Sequence, residues 1–354
     1  MPQLTLMIHT ASPDDFLRSQ GIPSYFEALA FNLMCQRVEG GAVEFELVYV
    51  DTYHAENRER FAREVCGLDF QIKHVPVHKD HRYWYDRGHC YIAAAKNTGI
   101  LYADGELLVS CDDAEFFPDG FLAGYWENYR AGRYAHALHR RMRSIETVDG
   151  IPKIPPRGDI YTNDHRWQYV TNGVFQHCWG SSCFAGTSFS LGDALTLNGY
   201  NERMDGCKSL DDCDFGNRLQ LLGRSFAMDP AVFAYIVDHS SYGSDMNCNW
   251  VGELGEGQEV MPAPIVHKTI TNLIAVENHG MLRCGTELLD IVANKNPLTD
   301  QHMAIIREDT LKYRKFDPLA PDRAETLAIW LGTPTFNLTK QREELRRSPD
   351  WKWK

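Results

Sequence analysis

The first hundred residues alternate between two hydrophobic periods. LTLMIHT (residues 4–10) is a short apolar run that closes on polar residues. After Pro23-Ser24, a capping-box start, the apolar positions Phe26, Leu29, Ala30, Leu33 and Met34 recur at helical spacing. A strand and then a helix are expected. FELVYVD (45–51) and FQIKHVPV (70–77) read as a second and third strand, GHCYIAAAKNTGILYADG as a helix that stops at Asp104-Gly105, and GELLVSC as the next strand. This alternation predicts an α/β fold with a mostly parallel sheet covered on both faces, in which ligands gather at the carboxyl ends of the strands.

Further along, SLDDCDFGNRLQLLG keeps Phe215, Leu219 and Leu222 at helical spacing, with Asp211, Asp212 and Asp214 in the expected first turn. VFAYIVDHSS is a strand-like run that ends at His239. Residues 140–180, with Arg140, Arg141, Arg143 and the run IPKIPPRGD, read as one long loop that forms part of a partner-binding wall. Beyond about residue 245 the composition shifts: GELGEGQEVMPAP reads as a linker, ELLDIVANK and DQHMAIIREDTLKY as helical patterns, and REELRRSPDWKWK as a charged tail. The expected division is a domain over 1–244 and a smaller, mainly helical C-terminal extension over 245–354.

Composition narrows the partners. The 354 residues are 44% hydrophobic and 24% charged, enough to bury a full enzyme core. With 36 basic against 48 acidic residues the formal net charge is −12, which argues against a nucleic-acid footprint and against anionic membranes. The N-terminus lacks the pattern of a signal peptide and no run reaches the length of a membrane span, so a cytoplasmic address is expected. Ten dispersed cysteines contain no CxxC pair, so neither a structural zinc site nor a dense disulfide framework is expected; most are read as buried thiols, with Cys178 and Cys183 the pair to watch.

The chemistry concentrates in SCDDAEFFPDG (110–120), where Asp112, Asp113 and Glu115 interrupt an apolar stretch. Carboxylates so placed repel one another and lose hydration, so a cation or a water-filled cleft must compensate. In an extended chain Asp113 and Glu115 share a face, and Mg²⁺ or Mn²⁺ joins one or two carboxylates to the phosphates of a substrate. An acidic turn after a strand accounts for the same residues without a metal. Likewise Asp212 is either a carboxylate favoured by the helix dipole or a general base, and Gly186 serves either close approach of a ligand or tight packing. His239 is either a polar strand end or a third metal ligand. Trp84, Trp179 and Trp250 are candidate sugar platforms, with core packing as the alternative.

Two ordered blocks carry a family resemblance. GHCYIAAAKNTGILYADGELLVSCDDAEFFPDGFL resembles the nucleotide-binding half of family 2-like inverting glycosyltransferases of the GT-A fold, a Rossmann-like nucleotide-diphospho-sugar transferase architecture with a mixed sheet flanked by helices. FAGTSFSLGDALTLNGYNERMDGCKSLDDCDFGNRL is similar to the acceptor half, in particular to the β-1,4-galactosyltransferase version. The blocks lie within residues 3–240. The resemblance implies a nucleotide-sugar donor, UDP-linked, a hydroxyl acceptor and a Mn²⁺ or Mg²⁺ cofactor. It implies metal ligands at Asp113, Glu115 and His239, and catalytic roles for Asp212 as base and for Asp211 in the acidic box. It also implies donor contacts from His9, Thr10, Asp51, Lys96, Asn97, Asp112 and Gly186. Glu115 departs from the family's second aspartate, Lys96 from its arginine, and MDGCKSL from the aromatic, glycine-rich stretch that precedes the box in galactosyltransferases. A nucleotidyltransferase on the same fold, a retaining transferase and a non-catalytic sugar-binding module are the competing readings.

Overall fold

Strands buried on both faces need covering on both faces, and the first four are of that kind. They are β1 (Leu4–Thr10), β2 (Phe45–Asp51), β3 (Gln71–Pro76) and β4 (Leu107–Asp112), with helix α1 (Tyr25–Cys35) between β1 and β2 and α2 (Ile92–Tyr102) between β3 and β4. The computed structural model describes residues 1–10, 25–36, 43–51, 70–76, 92–113, 115–142, 144–149, 151–154, 160–163, 165–170, 173–177, 186–200, 210–237, 337–349 and 351. His239, the expected linker and both later helical patterns, Cys178, Cys183 and the three tryptophans named above lie outside them. No helix among the described residues is long and apolar enough to cross a membrane.

After β4 come β5 (Glu115–Phe116), α3 (Phe121–Arg130) and β6 (Tyr134–Met142). Next are β7 (Thr147–Val148), β8 (Ile151–Pro152), β9 (Ile160–Asn163), a 3₁₀ turn (His165–Tyr169) and β10 (Phe175–His177). The described chain closes with β11 (Thr187–Ser190), α4 (Leu191–Thr196), α5 (Leu210–Leu221), β12 (Phe226–Val237) and α6 (Leu338–Arg347). One mixed sheet runs β3-β2-β1-β4-β11-β6-β12-β10, with β5 added to β12 and β9 to β6. β1 to β4 are parallel, β11 is antiparallel to both β4 and β6, and β12 is parallel to β6. Two reversals cancel, so β6 and β12 end at the same edge as β4. The α/β sheet with flanking helices expected from the alternation is present, and it is mixed, as the family resemblance implies, rather than mostly parallel.

The stretch 140–180 is not the single loop expected. β6 continues to Met142, β7 and β8 form a hairpin, β9 pairs with β6, and β10 pairs with β12. These strands are two to four residues long, too short for a hydrophobic period; β9 and β10 add to the longer β6 and β12, while β7 and β8 pair with each other. Arg140 helps to fix the layer, its guanidinium lying 4.7 Å from the Trp167 ring centre and 4.3 Å from that of Phe233.

Nor is the end of the chain a free charged tail. Asn337 caps α6, its Oδ1 accepting from the Lys340 amide at 2.8 Å, and Leu338 is buried in the core. Buried Arg342 donates to the carbonyls of Ile100 and Leu101 at 2.8 and 2.7 Å and to that of Ala103, closing the C-terminus of α2. Trp351 stacks on Tyr102 at 5.4 Å. Periodicity does not announce this, because the docking groups are arginines that snorkel into the helix end.

Below that junction, at the opposite edge from the acids, lies a fully buried ion pair. Lys73 Nζ sits 2.7 Å from Glu46 Oε2 and 2.6 Å from Asp104 Oδ2, and donates to the Tyr102 carbonyl at 2.8 Å. Glu46 Oε1 accepts from Thr5 Oγ1 at 2.7 Å. Arg346 completes the cluster on Asp104. Burial alone would raise the Asp104 carboxyl, but hydrogen bonds and charge from Lys73 and Arg346 outweigh it and hold the group below its ordinary value.

Removing one member of a buried pair leaves the other uncompensated, so Lys73→Met is expected to lower the unfolding free energy by about 3–5 kcal/mol in urea denaturation. A depressed carboxylate stabilises the fold above its unfolded pKa of about 4 and ceases to do so as pH falls through the folded value. The stability gap between the parent and Asp104→Asn should therefore be full at neutral pH and shrink in acid, as read from denaturation midpoints.

Candidate functional site

The order of the strands places the site. β2 and β3 extend from β1 to one side while β4 returns to the other, so the sheet's topological switch point lies between β1 and β4, where open α/β sheets bind ligands. His9 and Asp112 are register partners at the carboxyl ends of those two strands, and Thr10 pairs with Asp51 on the far side of β1. His9 Nε2 lies 2.9 Å from Asp112 Oδ1, and the Asp112 side chain is 52% exposed. Crowding by the surrounding chain alone would raise Asp112. The hydrogen bond and charge of His9, with the charges of Lys96 and His139, instead bring it down to about 2.

Asp51 is fully buried, with His74 Nε2 at 2.8 Å from its Oδ2. The donor contact expected of it therefore starts from a covered carboxylate, and His74, one strand over, is a partner not singled out from the sequence.

The expected extended run through Asp113 and Glu115 is broken. β4 stops at Asp112, Asp113 stands half-buried in a turn, and the chain restarts as β5 paired with β12, Glu115 opposite Ile236. Period-two alternation does not cross a turn, so the shared face inferred from it is withdrawn. Glu115 is fully buried. Helix α1 pins this exit: Asn32 Nδ2 donates to the Phe117 carbonyl at 2.9 Å, its Oδ1 accepts from the Phe117 amide at 2.8 Å, and Tyr25 Oη donates to the Glu115 carbonyl at 3.0 Å.

Burial, then the charges of Asp112 and Asp113, pushes the Glu115 carboxyl well above its ordinary range against the lowering effects of the Cys111 thiol and Arg166. His139 Nε2 is 3.6 Å from Glu115 Oε1, and Arg166 Nη2 is 3.4 Å from His139 Nδ1. An arginine only donates, so this contact makes Nδ1 the accepting nitrogen. Both Glu115 oxygens are buried without an N–H or O–H partner among the described residues. Oxygen ligands in want of a cation suit a hard divalent ion. Among the described residues no three His, Cys, Asp or Glu side chains converge on one point. His139 lies on β6 just before the region read as a loop and Arg166 on the 3₁₀ turn inside it, and neither was singled out from the sequence.

The second acidic cluster meets the first through α2. Lys96, 3% exposed, donates from Nζ to Asp212 Oδ1 in the first turn of α5. Asp211 occupies the same helical turn. Asn97, expected among the donor contacts, serves packing instead: its Nδ2 donates to the Tyr200 carbonyl at 2.9 Å and its Oδ1 accepts from the Tyr200 amide at 2.7 Å.

Gly186 is also structural. Its φ is +77°, an added Cβ would lie 2.4 Å from Ala137 Cβ, its amide donates to the Ser110 carbonyl at 2.7 Å, and its own carbonyl accepts from the Ala137 amide at 2.7 Å. It lets the chain entering β11 pass tightly against β6 with β4 on its other side, which is the packing alternative for Gly186.

No family model and no curated protein matches this chain. Solved structures do. It aligns with Staphylococcus aureus TarS in complex with UDP-GlcNAc at 10% identity and a TM-score of 0.49, over 93% of this chain and 79% of that one. Against a longer crystal structure of TarS the values are 10% and 0.46, and the chain spans 50% of that protein's length. The mannosyltransferase PcManGT from Pyrobaculum calidifontis, in complex with GDP-Man and Mn²⁺, aligns at 14% identity and a TM-score of 0.41 over 97% of this chain and 79% of that one.

Two outcomes follow. In His9→Gln the Asp112 carboxyl should titrate closer to the ordinary aspartate value in ¹³C NMR, since the His9 contribution that lowers it is gone. Gly186→Ala should lose about 2–4 kcal/mol of stability from left-handed backbone strain and overpacking, as read by thermal or urea unfolding.

Proposed function

We propose that this chain is a metal-dependent glycosyltransferase that moves a sugar from a nucleotide diphosphate sugar, UDP-linked, to an acceptor hydroxyl with inversion. The observation that carries the reading is the meeting of the two sequence blocks. Lys96 and Asn97 of the first reach Asp212 and Tyr200 of the second, beside the switch point marked by His9 and Asp112. One block resembles the nucleotide-binding half of family 2-like transferases and the other the acceptor half of β-1,4-galactosyltransferases, and their contact supports reading them as parts of one site.

In this mechanism the donor's diphosphate lies over the ends of β1 and β4. Asp113 and Glu115, with His239, would hold a divalent cation, which supplies charge neutralisation for the departing diphosphate. The acceptor oxygen attacks the anomeric carbon from the side opposite the diphosphate, and the bond between that carbon and the diphosphate oxygen breaks with its electron pair going to the nucleotide. Asp212 takes the acceptor's hydroxyl proton, and one displacement inverts the anomeric centre. Asp112, kept ionised by His9, is placed for a hydroxyl of the donor. Nucleotidyl transfer on a similar sheet would have no use for a base at Asp212.

Thermal unfolding with a panel of UDP-sugars, with and without Mn²⁺, tests the donor half: a rise in Tm that needs both nucleotide and metal is expected, because only the folded state binds them. With the donor that shifts Tm most and a panel of hydroxyl acceptors, Asp212→Asn should lower UDP release by about 10²–10⁴-fold while retaining UDP binding. Unchanged release would remove Asp212 as base.

A further inference from the structure

Lys96 stands between the two acids that the proposed reaction uses. It projects from α2, is almost completely buried, and places its ammonium on Asp212 Oδ1. Its charge is also felt by Asp112 at the switch point. The Tyr200 ring lies 5.0 Å from Nζ, and Asn97 fixes Tyr200 through both backbone groups, so the ammonium has a prepared aromatic neighbour beside its carboxylate. An ammonium and an acceptor hydroxyl compete for the same aspartate oxygen, since each presents a hydrogen to it. Lysine differs from arginine here. It is a compact charge on a four-carbon stem of rotatable bonds, able to turn from one anion to another without losing a planar, two-pronged fit.

Resting on the donor reading above, we propose that Lys96 couples donor binding to the base. Its ammonium holds Asp212, turns to the diphosphate when a nucleotide enters beside Asp112, and so releases Oδ1 to accept the acceptor's proton. A diphosphate carries more negative charge than one carboxylate, and it arrives in a site where little water competes for the ammonium. The arrangement makes Lys96 a positioning residue for Asp212 and a direct contact of the nucleotide. It also orders events: Asp212 reaches its accepting state in the donor complex and not before.

The test follows the ammonium itself. In protein labelled with ¹⁵N-lysine, the Lys96 signal is assigned by its loss in Lys96→Arg, and UDP with Mg²⁺ is then added while calorimetry measures UDP binding to the same sample. The signal is expected to move on UDP addition, and to stand displaced already in nucleotide-free Asp212→Asn. Lys96→Met should weaken UDP binding by about tenfold or more, the loss expected for one charge-assisted contact. If UDP binds and the Lys96 signal stays in place, the coupling is overturned while the donor reading stands. If calorimetry detects no UDP binding to the parent, the donor reading falls and takes the coupling with it. The central measurement is made on the unaltered chain, so a failure of Lys96→Met to fold leaves it decisive.

Discussion

The grip of Asn32 on the backbone of Phe117 is the constraint around which the acidic edge is organised. A strand that ended in three acids would tend to fray toward water, carrying its carboxylates with it. Here one asparagine supplies a donor to the carbonyl and an acceptor to the amide of a buried residue just past the acids. Gln36 extends the grip, donating to the Pro118 carbonyl at 2.6 Å. Phe116 and Phe117 are fully buried immediately beyond. The apolar return in SCDDAEFFPDG is therefore the anchor that lets the acids stand at the rim, and the chain between anchor and strand has room for a single turn.

Charge is treated oppositely at the two edges of the sheet. At the amino edge Glu46, Lys73, Asp104, Arg342 and Arg346 form a network in which each anion has a nearby cation. At the carboxyl edge acids outnumber their nearest cations: Asp112, Asp113 and Glu115 crowd one another, and Glu115 retains oxygens without an N–H or O–H partner among the described residues. A buried carboxylate in that condition is costly. Proteins tolerate such a cost where a ligand relieves it, and the closed network opposite makes the molecule stable enough to bear it.

The parallel half of the fold was readable because each element there is long enough to show its period. β1 and β2 coincide with their apolar runs, β4 comes within two residues of its run, and α2 falls inside GHCYIAAAKNTGILYADG. The short strands β7 to β10 were not, since two to four residues carry no periodic signal and owe their conformation to neighbours. In the site, Asp112 and Lys96 could be placed because strand ends and a motif point to them. Asn97 and Gly186 were assigned to the donor because a motif records residue type and not direction, and both turned out to tie the sheet and helices together. His74, His139 and Arg166 were invisible for a related reason: nothing in one sequence says which distant residue will face a buried acid.

The contacts of α6 give the region between residues 237 and 337 a particular standing. Val237 is held in the sheet and Asn337 in a helix cap, while Arg342 reaches carbonyls some 240 positions earlier, at separations of 239–242. The chain is thus held at both positions. During synthesis the carbonyls at the end of α2 stay without their arginine until some 240 further residues have emerged.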